Sequence, residues 1–422
     1  MQKILVRGPA LSQSGYGEHT RFVIRSLREI EDKVEIFVIP VGWGNTGWIW
    51  EDDDERRWLD ATIEKTITYA RSENPQPFDV SIQVTIPNEW EKLAPVNIGV
   101  TAGIETTKVS PVWIEKAALM DKIVTISEHS KNVYEGTSYE AINNATGEKI
   151  SNYRTTTPMH IVHYPVKDIK EKDIELALTT DFNFLAVAQW GPRKNVENTI
   201  RWFVEEFIDQ EVGLVVKLNL ARNCYYDREL CESRVKDLLS RYPQRKCKVY
   251  LLHGYMTEGE MSALYLNDKI KAYVTLTHGE GFGLPIFESA YHGLPVVAPA
   301  WSGHVDFLYM PVKDKKGKTK NKKMFADVDY HIEQVPKEVV WDDVIIAESG
   351  WCSPEQGSYK MRLREVYKDY GRFKKLAKQL REWVEEKFEK NGQYMMFYEL
   401  VYDEDVANME DWLAEFNVET HE

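Results

Sequence analysis

Short runs of β-branched and aliphatic residues alternate along most of the chain with segments whose apolar positions recur at helical spacing. Strands are expected at 4–6, 34–39, 80–84, 96–100 and 123–126. A second series follows at 184–187, 214–220, 249–252, 273–276 and 296–298. Most of these runs are apolar throughout, the pattern of strands covered on both faces. Between them Val23, Leu27 and Ile30 recur at i, i+4, i+7, and Phe203 and Phe207 at i, i+4 after Asn195. Strands separated by helices imply parallel sheets, and two series imply two doubly wound α/β domains. The expected domains are 1–166 and 181–392, with the charged segment 167–180 as the seam. An extra hairpin is expected within 139–157, turning near Thr146 and Gly147. Near the end, Tyr394, Phe397, Tyr398, Val401 and Tyr402 form one helical stripe.

Composition adds bounds. With 422 residues, the chain is long enough for two or three domains at roughly 100–200 residues each. Hydrophobic residues at 43% and charged residues at 28% argue against a disordered or collagen-like chain. The net charge of −14, if evenly spread, would repel nucleic acid and anionic membranes. It is not even: the segment 313–323 holds seven lysines and one aspartate, a net of +6. That segment reads either as a solvated loop or as a clamp on a polyanion. The four cysteines form no CxxC pair, so neither a zinc site nor a disulfide framework is expected, and a reducing compartment fits. Met1-Gln2-Lys3 is followed by three apolar residues and Arg7, which is no signal peptide, and no run approaches a membrane span. A cytoplasmic protein is the expectation.

The most informative segment runs from His278 to Glu288, HGEGFGLPIFE, directly after a strand. Gly279, Gly281 and Gly283 let the backbone approach a ligand, and Pro285 suits the first turn of a helix. A helix N-terminus favours negative charge such as a diphosphate. Glu280 lies in the loop and Glu288 about one turn into the helix, and a carboxylate accepts bonds from two adjacent hydroxyls. Phosphate beside polyol groups describes a nucleotide sugar. A dinucleotide site competes weakly, since the glycines read GxGxG and lie late in the chain, and a structural turn with two solvated glutamates is the bland alternative. Arg193 and Lys194 follow the strand 184–187, where α/β sheets bind ligands, and could neutralise a leaving diphosphate. Asn195 is expected to cap the next helix. Gly15, Tyr16 and Gly17 form a turn after the first strand.

These residues resemble a known family. Glu280 and Glu288, seven residues apart in EGFGLPIFE, resemble the E-x7-E motif of the large fourth family of retaining GT-B glycosyltransferases. The continuation 289–299, SAYHGLPVVAP, looks like the same family's EA-x-A-x-G-x-PVV stretch, and Arg193-Lys194-Asn195 like its phosphate-binding segment. Gly15-Tyr16-Gly17 resembles its N-terminal glycine loop. The resemblance implies a GT-B α/β fold, two Rossmann-like doubly wound domains facing a cleft, with a terminal helix at about 393–422 packing back on the first domain. It implies that the C-terminal domain holds a UDP- or GDP-linked sugar and that neither metal nor cofactor takes part. Glu288 would hold the ribose diol and Glu280 the transferring sugar. Gly281, Phe282, Gly283 and Leu284 would lie beside sugar and phosphates, and Lys194, with Arg193, would stabilise the departing diphosphate. Relatives carry an arginine where this chain has Gln189. Glu105 is the candidate N-terminal partner of the sugar.

Other readings concern metal and acceptor. A metal-dependent GT-A enzyme needs a DxD, which Asp52-Asp53-Asp54 satisfies only inside an acidic run. Trp43, Trp48, Trp50 and Trp58 crowd one segment, as core or as a surface that stacks on sugars or bases. Two segments, 8–22 and 96–111, also look like glycosyltransferases carried by tailed phages, so the acceptor is expected to be a glycan, a small molecule or a hydroxymethylated base in duplex DNA met by 313–323. A GT-B-fold epimerase and a non-catalytic nucleotide-sugar-binding module are the alternatives to a transferase.

Overall fold

The computed structural model describes residues 1–142 and 145–402. Each half is built on a six-stranded parallel sheet. In the first, the order is Val34–Pro40, Gln2–Gly8, Val80–Val84, Val96–Thr101, Lys122–Thr125, Met159–Ile161. In the second it is Lys248–Leu252, Gly213–Asn219, Asn183–Gln189, Ile270–Val274, Val296–Pro299, Ala326–Val328. Counted within each half, these orders are 2-1-3-4-5-6 and 3-2-1-4-5-6, the two common doubly wound patterns. Ile4, Val6, Ile82 and Val100 of the first sheet, and Leu214, Val216 and Val274 of the second, are fully buried. Their aliphatic runs are therefore continuous, because helices cover both faces.

The helix Gly15–Arg28 shows how the sequence sets an element. The Ser14 hydroxyl caps it by accepting from the Gly17 N–H at 3.0 Å. Phe22, Val23 and Leu27 then turn one stripe into the core. The helix Lys390–Val401 supplies the other wall, with Phe397 and Tyr394 each 5.8 Å from Phe22 between ring centroids. The chain thus returns to its first domain, and the remainder of the expected terminal helix, 403–422, lies outside the described residues.

Three separate two-stranded hairpins accompany the sheets. The hairpin expected within 139–157 is present as Tyr139–Ile142 against Lys149–Tyr153. The lysine segment forms a second antiparallel hairpin, Tyr309–Lys313 against Thr319–Lys323, with every residue from Thr319 to Lys323 exposed. A third pairs Tyr330–Gln334 with Gly350–Pro354. Among the described residues no helix is long and apolar enough to cross a membrane.

The domains touch through backbone. A Cβ on Gly281 would stand 1.7 Å from the Ala102 carbonyl oxygen, and one on Gly279 2.1 Å from that of Glu105. Thr107 and Gly350 exchange two hydrogen bonds of 2.8 Å across the same seam. Asp306 ties it further, accepting from the Glu128 N–H at 2.8 Å and lying 3.0 Å from His163 Nε2.

Candidate active site

In each doubly wound sheet the ligand crevice opens at the carboxyl ends of the strands where the order reverses. In the second sheet that point lies between Asn183–Gln189 and Ile270–Val274. Arg193 and Lys194 follow the first of these strands, and Glu280 the second. All three line a cleft of about 750 Å³, joined from the first domain by Tyr16, Ile86 and Glu105.

Charge is concentrated here. Lys194 Nζ donates to Glu280 Oε1 at 2.5 Å, and Arg193 Nη1 to Glu280 Oε2 at 3.1 Å. Arg193 also donates to the Gly279 carbonyl at 2.6 Å and reaches Glu105 at 3.3 Å. Glu280 is buried, and burial alone would raise its pKa. Lys194 and then Arg193 outweigh that and hold the carboxyl at about 2. Burial pushes the Lys194 ammonium down, with Glu280 opposing it. The loop is pinned from beneath by the Ser302 hydroxyl, which accepts from the Glu280 N–H at 2.9 Å. Ser302 has φ +80°, and no motif in the sequence points to it.

Beyond Glu280 the helix Leu284–Tyr291 begins. Gly283, at φ +92°, makes the turn that starts it, and Pro285 occupies its first turn. The N–H groups of Phe282, Gly283 and Leu284 have no acceptor among the described residues and border the cleft. Such orphan donors are an anion cradle. One turn on, Glu288 Oε2 accepts from the Tyr265 hydroxyl at 2.8 Å. Burial raises the Glu288 carboxyl to about 7 against the pull of Lys167 and Tyr265, and Glu258 and Glu18 add to the rise.

No family model and no curated protein matches the chain. Solved structures do. HepE from Anabaena, in complex with UDP and glucose, superposes with a TM-score of 0.60 at 12% identity, over 95% of this chain and 99% of that one. Sucrose-phosphate synthase from Thermosynechococcus elongatus gives 0.59 at 13% identity, over 95% and 98%. A glycosyltransferase from Rickettsia africae gives 0.55 at 12%, over 95% and 99%. The fold is GT-B. At these identities the likeness carries architecture, and the chemistry rests on the site.

Within this GT-B cleft the structure gathers Glu280, Lys194, Arg193 and Glu105 into one ion-paired group. Gln189 lines the wall, its Nε2 donating to the Leu220 carbonyl at 2.7 Å. Gly15 also lines the cleft, with open space around its Cβ position, whereas Gly17 packs on the Ser12 carbonyl. Tyr16 is a pillar: its buried hydroxyl meets Thr101 Oγ1 at 2.9 Å and accepts from the Gly103 N–H at 3.1 Å. Gly281 borders the cleft, but its missing side chain makes room for Ala102 of the facing domain. The Phe282 ring is core, 5.3 Å from Tyr164 and 4.9 Å from Phe307, and its N–H has no acceptor among the described residues.

One expectation is corrected and two open readings are narrowed. Asn195 stands before the helix Val196–Glu206, but at φ 51° its side chain makes no cap and instead accepts from Asn198 Nδ2 at 2.8 Å. The tryptophan group divides: Trp43 and Trp58 are partly buried against the core, whereas Trp48 and Trp50 are exposed. Trp43 meets Tyr16 at a tilt, 4.3 Å between ring centroids, and Trp50 lies 5.5 Å from Tyr255 of the second domain. The lysine segment is solvent-exposed over Thr319–Lys323, with its ends paired as the hairpin described above.

The acidic run Asp52–Asp54 begins a helix: Asp53 caps Asp54–Ala70, and Asp52 and Asp54 pair with Arg57. Asp227, Cys231 and His253 bring possible ligand atoms within 4.8 Å. Asp227 is already committed, accepting three backbone N–H groups at 2.7–2.9 Å. Sequence reading also misses Trp341, 58% exposed on the cleft rim in a turn closed by its own pairing with Ile345.

Proposed function

We propose that the chain moves a sugar from a nucleoside-diphosphate donor to a hydroxyl acceptor, with retention at the anomeric carbon and without a metal. The observation that carries this is the convergence of Arg193 and Lys194 on Glu280 at the sheet's switch point, beside the open N–H groups of the helix Leu284–Tyr291. Two half-buried cations held by carboxylates form a site for a multivalent anion, which can replace those partners. With a donor bound, Lys194 and Arg193 meet the diphosphate, and Glu280 is released to accept the sugar's hydroxyls. The bond from the anomeric carbon to the phosphate oxygen breaks as the acceptor oxygen attacks from the same face. The acceptor's proton passes to the leaving phosphate. The chain's own cations and helix N–H groups meet the charge that develops there. HepE, of the same fold, holds UDP and glucose, which fits a UDP-linked donor.

The test is a panel of UDP- and GDP-sugars against small, glycan and hydroxymethyl-DNA acceptors, read by mass spectrometry and nucleoside diphosphate release. Acceptor-dependent release that persists in chelator is expected. Epimerised donor without release would favour the isomerase, and neither product a binding module.

Glu288 gives this reading a pH signature. A carboxylate that holds a diol must be ionised to accept from both hydroxyls. With its carboxyl at about 7, nucleotide affinity should rise as pH increases from 6 to 8, and binding near pH 7 should release a proton. Calorimetry in buffers of different ionisation enthalpy reads that proton, and Glu288→Gln should flatten the profile. The stability effect has the opposite sign. A raised folded pKa stabilises fully below the ordinary 4.5 and is lost as pH climbs through about 7.

A second reading concerns the acceptor alone, and the lysine hairpin favours it. Lys315, Lys316, Lys318 and Lys322 project from it without a carboxylate partner among the described residues, so a polyanion such as duplex DNA fits. Replacing these four by serine should weaken binding to hydroxymethylated duplex. The log–log salt slope should fall by about 0.9 for each phosphate that is no longer neutralised. An unchanged slope would remove the hairpin from acceptor binding.

A further inference from the structure

Five cations line the cleft: Arg21, Lys167, Arg193, Lys194 and Lys217. Four have carboxylate partners. Arg21 and Lys167 meet Glu18 at 3.1 and 2.8 Å, and Arg193 and Lys194 meet Glu280. Lys217 has no carboxylate at ion-pair distance among the described residues. Its Nζ donates to the Gly254 carbonyl at 2.6 Å. An ammonium carries three N–H donors and no acceptor, so two donors remain. Burial lowers the Lys217 pKa. A half-buried ammonium in a ligand cleft with spare donors is incomplete until an oxygen acceptor arrives.

Its place in the sheet indicates which acceptor. Lys217 pairs with Val187 on one side and Leu252 on the other. It therefore lies one strand away from the strand leading to Lys194, and two from the strand leading to Glu280 and the helix N–H groups. At about 4.8 Å per strand, this puts it roughly 10 Å along the sheet from the anion cradle. That offset exceeds the span of a diphosphate and suits the far end of a nucleotide. The surroundings change with it: Tyr255 and Met256, which follow Gly254 in the chain, line the cleft here. Thioether and aromatic surfaces suit the face of a planar ring.

Resting on the transferase reading above, we infer that Lys217 reads the base of the donor nucleotide and selects one that turns a carbonyl oxygen toward it. Uracil and guanine present such an oxygen where cytosine and adenine present an amino group. The amino group would set N–H against N–H and leave the ammonium unsatisfied.

The test is calorimetric titration of the full chain with UDP, CDP, GDP, ADP and inorganic pyrophosphate, in the wild type, Lys217→Met and Lys217→Arg. In the wild type each oxo-base diphosphate should bind about tenfold or more tighter than its amino counterpart, as expected for one hydrogen bond to a charged group. Lys217→Met should bring each pair within about twofold while leaving pyrophosphate affinity unchanged. Lys217→Arg, which keeps the donors, should keep the preference. A preference that survives Lys217→Met overturns the inference. So does a loss of pyrophosphate affinity matching the loss for UDP, which would make Lys217 a phosphate ligand. If wild type binds neither nucleotide nor pyrophosphate, the transferase reading falls and this one with it. Tight pyrophosphate binding without base preference defeats the Lys217 role alone.

Discussion

Glutamine at position 280 should leave a folded protein whose sugar transfer is at least about a thousandfold slower and whose affinity for nucleoside diphosphate is several-fold higher. The two effects have one cause. In the free protein Glu280 is the counter-ion of Lys194 and Arg193. An amide keeps the shape of the side chain but not its charge. Both cations are then freed for the diphosphate, while the sugar loses the charged carboxylate that accepts from two hydroxyls at once and keeps only the weaker amide oxygen. The fold should persist because Arg193 keeps Glu105 and the Gly279 carbonyl, and the loop keeps its bond to Ser302. Rates of nucleoside diphosphate release and calorimetric affinities separate the outcomes. Transfer near the wild-type rate would dismiss Glu280. Weakened binding would mean that it orders the cations more than it competes for them. Acid sensitivity should change as well. The wild-type carboxyl, held at about 2 from an ordinary 4.5, stabilises the protein above 4.5, and that contribution is lost as pH falls toward 2. The glutamine variant lacks it.

Methionine at position 194 should fail differently. It removes a donor aimed at the leaving phosphate, which typically costs about a hundredfold to a thousandfold in kcat, or roughly 3–4 kcal/mol. Nucleotide affinity should fall along with the rate, because Lys194 meets the diphosphate both before and after the bond breaks. Arg193 remains to neutralise Glu280, so the variant should fold. One variant that binds more tightly yet does not turn over, beside another that loses both, would assign the two residues their separate roles. If Lys194→Met bound nucleotide normally, the cation would not face the diphosphate.

Much of this was legible in the residues. Parallel sheets followed from apolar runs that do not alternate, and the loop from Gly279 to Glu288 declared itself because a Pro-started helix after glycines has few other uses. Both depend on neighbours in sequence. What stayed hidden depends on neighbours in space. Asn195 has a capping residue's chemistry but a left-handed backbone, which the tight turn Pro192–Lys194 imposes. The tryptophans at 43–50 have core composition, yet Trp48 and Trp50 are exposed, and Trp50 lies beside a loop of the other domain. Lys217 reads as an interruption in a strand, and nothing near it in the chain shows that every other cation of the cleft has a partner. Ser302 and Trp341 belong to segments that carry no motif.

The meeting of Gly279 and Gly281 with the carbonyls of Glu105 and Ala102 has a mechanical consequence. Two backbones that touch without intervening side chains leave no compressible layer between the domains at that point. A rocking motion of one domain on the other that preserves this contact must turn about it, as a door turns on its pin. Opening the cleft must then break the bond from the Tyr255 hydroxyl to Glu51, 2.7 Å, while Glu105 and Glu280, beside the pivot, hold their separation. Substrates could enter and leave through a moving mouth without the reacting centre being taken apart and rebuilt on every cycle.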